Sequence, residues 1–207
     1  MALFKEFPVQ KQASGIGDVV GQIRTGMMAQ GRPTTLNTFR FTVDSQDVAD
    51  KVAELYGGTP KPWQTTRADN IEIITDAASL EAELHSFQSE FILWGQRKPI
   101  RVCNGQTQSD DHGCECPQDY WEHREAAAEG KACKPQINAR LVLKDLPDLG
   151  AFKYQSNSWA LSEGANELEE ALANQPGALV RFEIEQYTTK TGQPRQKPTF
   201  TLLETVN

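Results

Sequence analysis

The sequence lacks the motifs that mark most enzyme classes. It contains no phosphate-binding G-x-x-x-x-G-K-[ST] loop, no G-x-S-x-G nucleophile elbow, no H-E-x-x-H pair and no dinucleotide-fold glycine pattern. The His-x-Glu that zinc deaminases carry ahead of Pro-Cys-x-x-Cys is missing too. No apolar run approaches the roughly 20 residues that cross a bilayer. The longest, Phe91-Ile92-Leu93-Trp94-Gly95-Gln96, is short and stops at Arg97 and Lys98. The start, Met1-Ala2-Leu3-Phe4-Lys5-Glu6, has no basic segment followed by an apolar one. The expectation is a cytoplasmic protein without membrane contact.

Excess positive charge is also absent. The 207 residues hold 21 Lys and Arg against 28 Asp and Glu, a net charge of −7, which argues against a primary grip on duplex DNA. The charge is uneven: residues 1–43 carry Lys5, Lys11, Arg24, Arg32 and Arg40 against only Glu6 and Asp18. Hydrophobic residues reach 38%, enough for a packed core.

Residues 1–37, rich in Gly, Gln, Thr and Pro, read as a loosely packed N-terminal arm with a short strand near Gly17–Ile23. The remainder, 38–207, reads as one body. Asn37–Val43 alternates as a strand. Asp44 and Ser45 then offer helix-capping chemistry, Val48, Val52 and Leu55 follow at helical spacing, and Gly57-Gly58 ends the helix. Ile71 and Ile73, then Leu80, Ala82 and Leu84, predict two strands. Phe87–Trp94 fits strand or helix equally. Pro99–Val102, Ile137–Leu143 and Phe152–Tyr154 read as strands. Leu161, Leu168 and Leu172 mark a helix ended by Pro176 and Gly177, and residues 178–189 and 198–203 form a final hairpin. The predicted class is α+β, a mostly antiparallel sheet with two to three helices.

All four cysteines, Cys103, Cys114, Cys116 and Cys133, crowd into one segment as C-x10-C-x-C-x16-C. Zinc favours a tetrahedron of thiolates, and Gly113 and Pro117 would help the C-x-C pair turn around one ion. The prediction is a structural Zn2+ held by these four residues in an insertion at about 103–133. His112 and His123 stand by as substitute ligands. Two disulfides suit a cytoplasmic chain poorly, and unrelated free thiols are the other competing reading. A catalytic zinc would keep an open position, whereas four thiolates close the shell.

Further signposts run along the chain in order: Val20-Gly21-x-Ile23, Gly31-Arg32-Pro33, Leu36, Phe39-Arg40, Val48-Ala49, Leu55-x-Gly57-Gly58-Thr59-Pro60, Trp63 and Asn70. Then come Leu93-Trp94-Gly95, Cys103-x-Gly105, the Cys114/Cys116 pair, Lys134-Pro135, Gly150-x-Phe152 and Ser156-x-Ser158-Trp159. This series resembles the recombination directionality factors of large serine integrases from actinobacterial phages. The resemblance implies a protein without chemistry of its own, acting in the cytoplasm of the bacterial host. Such a factor binds a phage serine integrase on its attachment-site DNA and turns it from integration to prophage excision. The candidate contact residues are Ile23, Arg24 and Arg32 in the N-terminal segment, and Tyr120 and Trp121 in the cysteine loop.

Two rival readings stand beside this one. The short strands, the four tryptophans and the bases Lys190, Arg195 and Lys197 also suit a single-stranded nucleic-acid binder built on an OB-like barrel with structural zinc. A zinc enzyme is the third.

Overall fold

The computed structural model describes residues 19–104, 107–109, 112–189 and 191–203. One mixed sheet organises them. Its strands are β1 (Val19–Ala29), β2 (Arg32–Val43), β3 (Lys61–Pro62), β4 (Ile71–Ile74) and β5 (Ser79–Trp94). They continue with β6 (Pro99–Cys103), β7 (Lys134–Leu143), β8 (Ala151–Ser156), β9 (Ala178–Thr188) and β10 (Pro194–Leu202). Four helices accompany them: α1 (Gln46–Tyr56), α2 (Tyr120–Ala128), α3 (Trp159–Glu163) and α4 (Ala165–Asn174). The spatial order is β10-β9-β5-β7-β8-β1-β2-β4-β3, with β6 paired to β5. Every pairing is antiparallel except β1 with β8. The class is therefore α+β with a predominantly antiparallel sheet, as the patterning predicts. Its ten strands exceed the five of an OB barrel.

Of the expected N-terminal arm, residues 1–18 lie outside the described residues. Residues 19–37 are not loose: they form β1 and the first half of β2, in the interior of the sheet. Ile23 and Phe41 face each other across this pair and are fully buried. The two strands join through Gln30 and Gly31, both at positive φ, the two-residue turn that matches strand twist. Gly21 is required by close approach. A Cβ there would sit 2.6 Å from Val43 Cγ1 and 2.7 Å from the Thr42 carbonyl oxygen.

The core is aromatic. Phe182 of β9 lies 4.8 Å from Phe39 of β2, 4.7 Å from Tyr154 of β8 and 4.4 Å from Phe200 of β10, between ring centroids. These contacts join strands from both ends of the order, so the sheet curls on itself. Gln196 of β10 completes the approach by donating to Asn37 Oδ1 at 2.9 Å.

The ambiguous stretch Phe87–Trp94 is the second half of one sixteen-residue strand. Inward side chains fall at Leu80, Ala82 and Leu84, then at Phe87 and Phe91. The register against β7 slips between Leu84 and Ser86, which fits a bulge that changes the phase of the alternation. Along one edge β5 pairs with β9 up to Leu84 and with β6 from Phe91. In the gap, Glu169 of α4 accepts the Ser89 N–H at 3.1 Å.

Candidate metal centre

The segment between β6 and β7 folds back onto the end of β5. Cys103 closes β6, opposite Phe91 of β5, and Cys133 immediately precedes β7. Between them Asp119 caps α2, its carboxylate accepting the N–H groups of Trp121 and Glu122 at 2.9 and 3.0 Å. That helix turns His123 and Ala127, one turn apart, into a small cluster with Phe91, Cys103, Cys116, Ala132 and Cys133.

Three of the four predicted ligands meet there. Cys103, Cys116 and Cys133 are buried, with sulfurs all within 4.8 Å of one another, a group that could hold a metal ion. The Cys103 and Cys116 sulfurs are 4.0 Å apart. Four thiolates about 2.3 Å from a zinc ion stand about 3.8 Å apart, so this spacing fits such an ion. Cys114 is half-buried and outside that triad. Its sulfur accepts the Cys116 N–H at 3.4 Å and hydrogen-bonds with Cys103.

The environment favours negative sulfur at Cys116 and the neutral thiol at its two neighbours. Hydrogen bonds from Cys103 and then Cys133 hold the Cys116 thiol well below the ordinary thiol range. Cys133 is pulled down by Cys103, but its contact with Cys116 and its burial prevail and push it up to about 12. Burial raises Cys114. The Cys133 N–H points at the Cys116 sulfur at 3.4 Å, and Arg101 reaches the same sulfur at 3.9 Å while pairing with Glu115. A guanidinium beside a thiolate offsets charge that a closed thiolate shell would accumulate.

Of the substitute ligands, His112 is exposed on the loop and His123 is buried against the cluster. His123 Nε2 lies 2.9 Å from the Cys133 carbonyl oxygen, which can only accept, so that nitrogen carries the proton. Its ring hydrogen-bonds with Cys116 and packs 5.2 Å from both Phe91 and Trp159. The histidine thus ties α2 to two cysteines. The Asp119 cap ahead of an alanine-rich run is the sequence signal for this helix, which the apolar periodicity missed.

The candidate contact residues divide. Ile23 is 1% exposed and belongs to the core, because alternation along β1 turns it inward; it offers no surface to a partner. Arg24 is half-buried, donates to Thr42 Oγ1 at 3.3 Å and pairs with Asp69 at 3.4 Å. It lines a groove of about 890 Å³ together with Met27, Met28, Arg40 and Trp63. Arg32 is exposed at the β1–β2 turn. Tyr120 donates to Glu163, and Trp121 is 69% exposed. Arg124 lies over the rings of Tyr120, Trp121 and Trp159 at 5.3 to 5.7 Å, giving an aromatic and arginine surface beside the cysteines.

No described helix is long and apolar enough to cross a membrane. A family model described as Gp3-like, recombination directionality factor-like, matches residues 20–206. No solved structure matches the chain.

Proposed function

We propose a function from one premise: this chain belongs to the Gp3-like family of recombination directionality factor-like proteins. It binds a phage serine integrase on attachment-site DNA and redirects it from integration to prophage excision, in the cytoplasm of the host. The family match over nearly the whole described chain carries this reading.

The factor needs no chemistry of its own. It acts by binding one arrangement of the integrase better than another, since equal affinity shifts no equilibrium. Converting a 1:99 mixture to 99:1 takes about 5.5 kcal/mol of differential binding. A few aromatic and arginine anchors supply that order of energy at an interface, and Trp121 with Arg124 has the right composition. The proposed N-terminal and cysteine-loop contacts are accordingly Arg24, Arg32, Tyr120 and Trp121.

A Zn2+ held by Cys103, Cys114, Cys116 and Cys133 is the proposed structural cofactor. The converging sulfurs support it, and it would fix the loop that carries α2. The test is recombination in vitro with a serine integrase from the same genome. Excision that appears only when the protein is added supports the reading. An integrase active on its integration substrates, yet without excision at any protein excess, overturns it.

A further inference from the structure

The cations of the sheet are mostly matched by carboxylates. Arg40 and Lys61 pair with Glu72, Arg101 with Glu115, Arg181 with Glu81 and Lys197 with Glu185. Five of the described strand cations are unmatched: Arg32 and Arg195 lie near hairpin turns, and the other three lie on two neighbouring strands, Arg140 beside Lys153 and Lys134 about 20 Å along β7. Among the described residues, Lys134 and Arg140 of β7 and Lys153 of β8 have no carboxylate at ion-pair distance.

These three share the outer face. β7 buries Pro135, Ile137, Ala139, Leu141 and Leu143, leaving Lys134, Gln136, Asn138 and Arg140 on the other side. β8 buries Phe152 and Tyr154 and leaves Lys153 and Gln155 outward. The register sets Arg140 directly opposite Lys153. Two like charges in that position destabilise a sheet, and a bound anion relieves them. Beside them Gln155 donates to Asn138 at 2.8 Å. Toward the end of the same face Trp94 of β5 is 53% exposed, its indole N–H donating to Gln136 at 3.2 Å.

We propose that this outer face of β7 and β8 docks an acidic protein surface, with carboxylates over Lys134, Arg140 and Lys153 and an apolar side chain against Trp94. The proposal rests on the reading of the chain as an integrase-binding protein and adds a second contact face to the residues proposed above. Charge complementarity selects the occupant. A nucleic acid fits less well, because β5 places Glu83 and Glu90 along the same face, where a uniform run of phosphates is repelled and a protein surface can set neutral or basic side chains. No aromatic side chain lies between the three cations to stack a base.

The experiment compares wild type with the triple variant K134E/R140E/K153E and with W94A for binding to the integrase at two salt concentrations. Binding of each to a 20-bp duplex is measured alongside, and circular dichroism checks the fold. The proposal expects the triple variant to bind integrase at least tenfold more weakly and to lose most of the salt dependence. W94A should weaken binding severalfold at both salt concentrations. Should the triple variant misfold, K153E alone sets a carboxylate opposite Arg140; it should fold and bind about threefold more weakly. Wild type that fails to bind integrase overturns the functional reading, and this face with it. Wild type and triple variant binding integrase alike overturn the face alone. Loss of duplex binding with integrase binding intact reassigns the face to nucleic acid.

Discussion

Withdrawing the proposed zinc from the cysteine segment should loosen that segment and spare the sheet. The fully buried apolar side chains that the segment itself brings to the sulfurs are Ala127 and Ala132; Phe91 comes from β5, and Leu93, Ala126 and Trp159 are only partly buried against them. Two alanine methyls contribute about 2 kcal/mol, at roughly 0.8 kcal/mol per buried carbon. Fixing one residue's backbone costs about 1 kcal/mol or more, so so small a cluster does not order the stretch from Cys103 to Cys133. Structural zinc contributes about 10–16 kcal/mol in small zinc domains, a term of the needed size. The main core around Phe39, Phe41, Tyr154 and Phe182 shares none of the cysteines. The assay is zinc release to a colorimetric chelator, followed by hydrogen exchange read by mass spectrometry. One zinc per chain is expected. After its removal, peptides covering α2 and residues 112–118 should exchange rapidly while β1, β8 and β9 stay protected. Cys116→Ala should reproduce that pattern without chelator. Protein isolated without zinc, or α2 protection unchanged by its loss, would refute the reasoning.

Two further outcomes concern the body of the fold. Phe182→Ala empties a fully buried site against three rings and should destabilise the protein by about 3–5 kcal/mol; denaturant unfolding with an unchanged m-value checks this, and a loss under 1 kcal/mol would contradict the packing. Burial raises the Glu169 carboxyl, although the Ser89 N–H opposes the shift. A carboxyl whose folded pKa is raised binds more protons folded than unfolded, so its contribution to stability falls as pH climbs above the ordinary glutamate value of about 4.3. Glu169→Gln should therefore melt higher than wild type at pH 7 and no higher at pH 4, and equal differences at both pH values would rule the argument out.

The elements that sequence patterning captured are those with one uninterrupted period. Helix α1 shows Val48, Val52 and a glycine stop, and β9 alternates from Ala178 to Glu185. Where the phase changes, the pattern fails. The slip near His85 hid the length of β5, and Gly164 divides into α3 and α4 what Leu161, Leu168 and Leu172 present as one helix. Helix α2 escaped because only His123 and Ala127 face inward, too little to print an apolar stripe. The cysteines were legible as a group from their crowding, but the triad within the group depends on how Cys103 and Cys133 enter and leave neighbouring strands. The N-terminal segment misled because its composition suits a loop, while its place in the sheet is set by Phe152 and Tyr154, far along the chain.

That placement bears on how the protein is made. Ile23 of β1 pairs with Tyr154 of β8, so the first of the described strands to leave the ribosome waits for one of the later ones. At about 5–20 residues per second the wait is roughly 7 to 26 s. During it the nascent β1–β2 hairpin holds Ile23, Phe41 and an unpaired edge without their cover, a template for wrong pairing. A fragment ending before residue 151 keeps that defect permanently. The fold is thus completed from its C-terminal half inward, and chaperone capture of nascent chains should peak before β8 emerges.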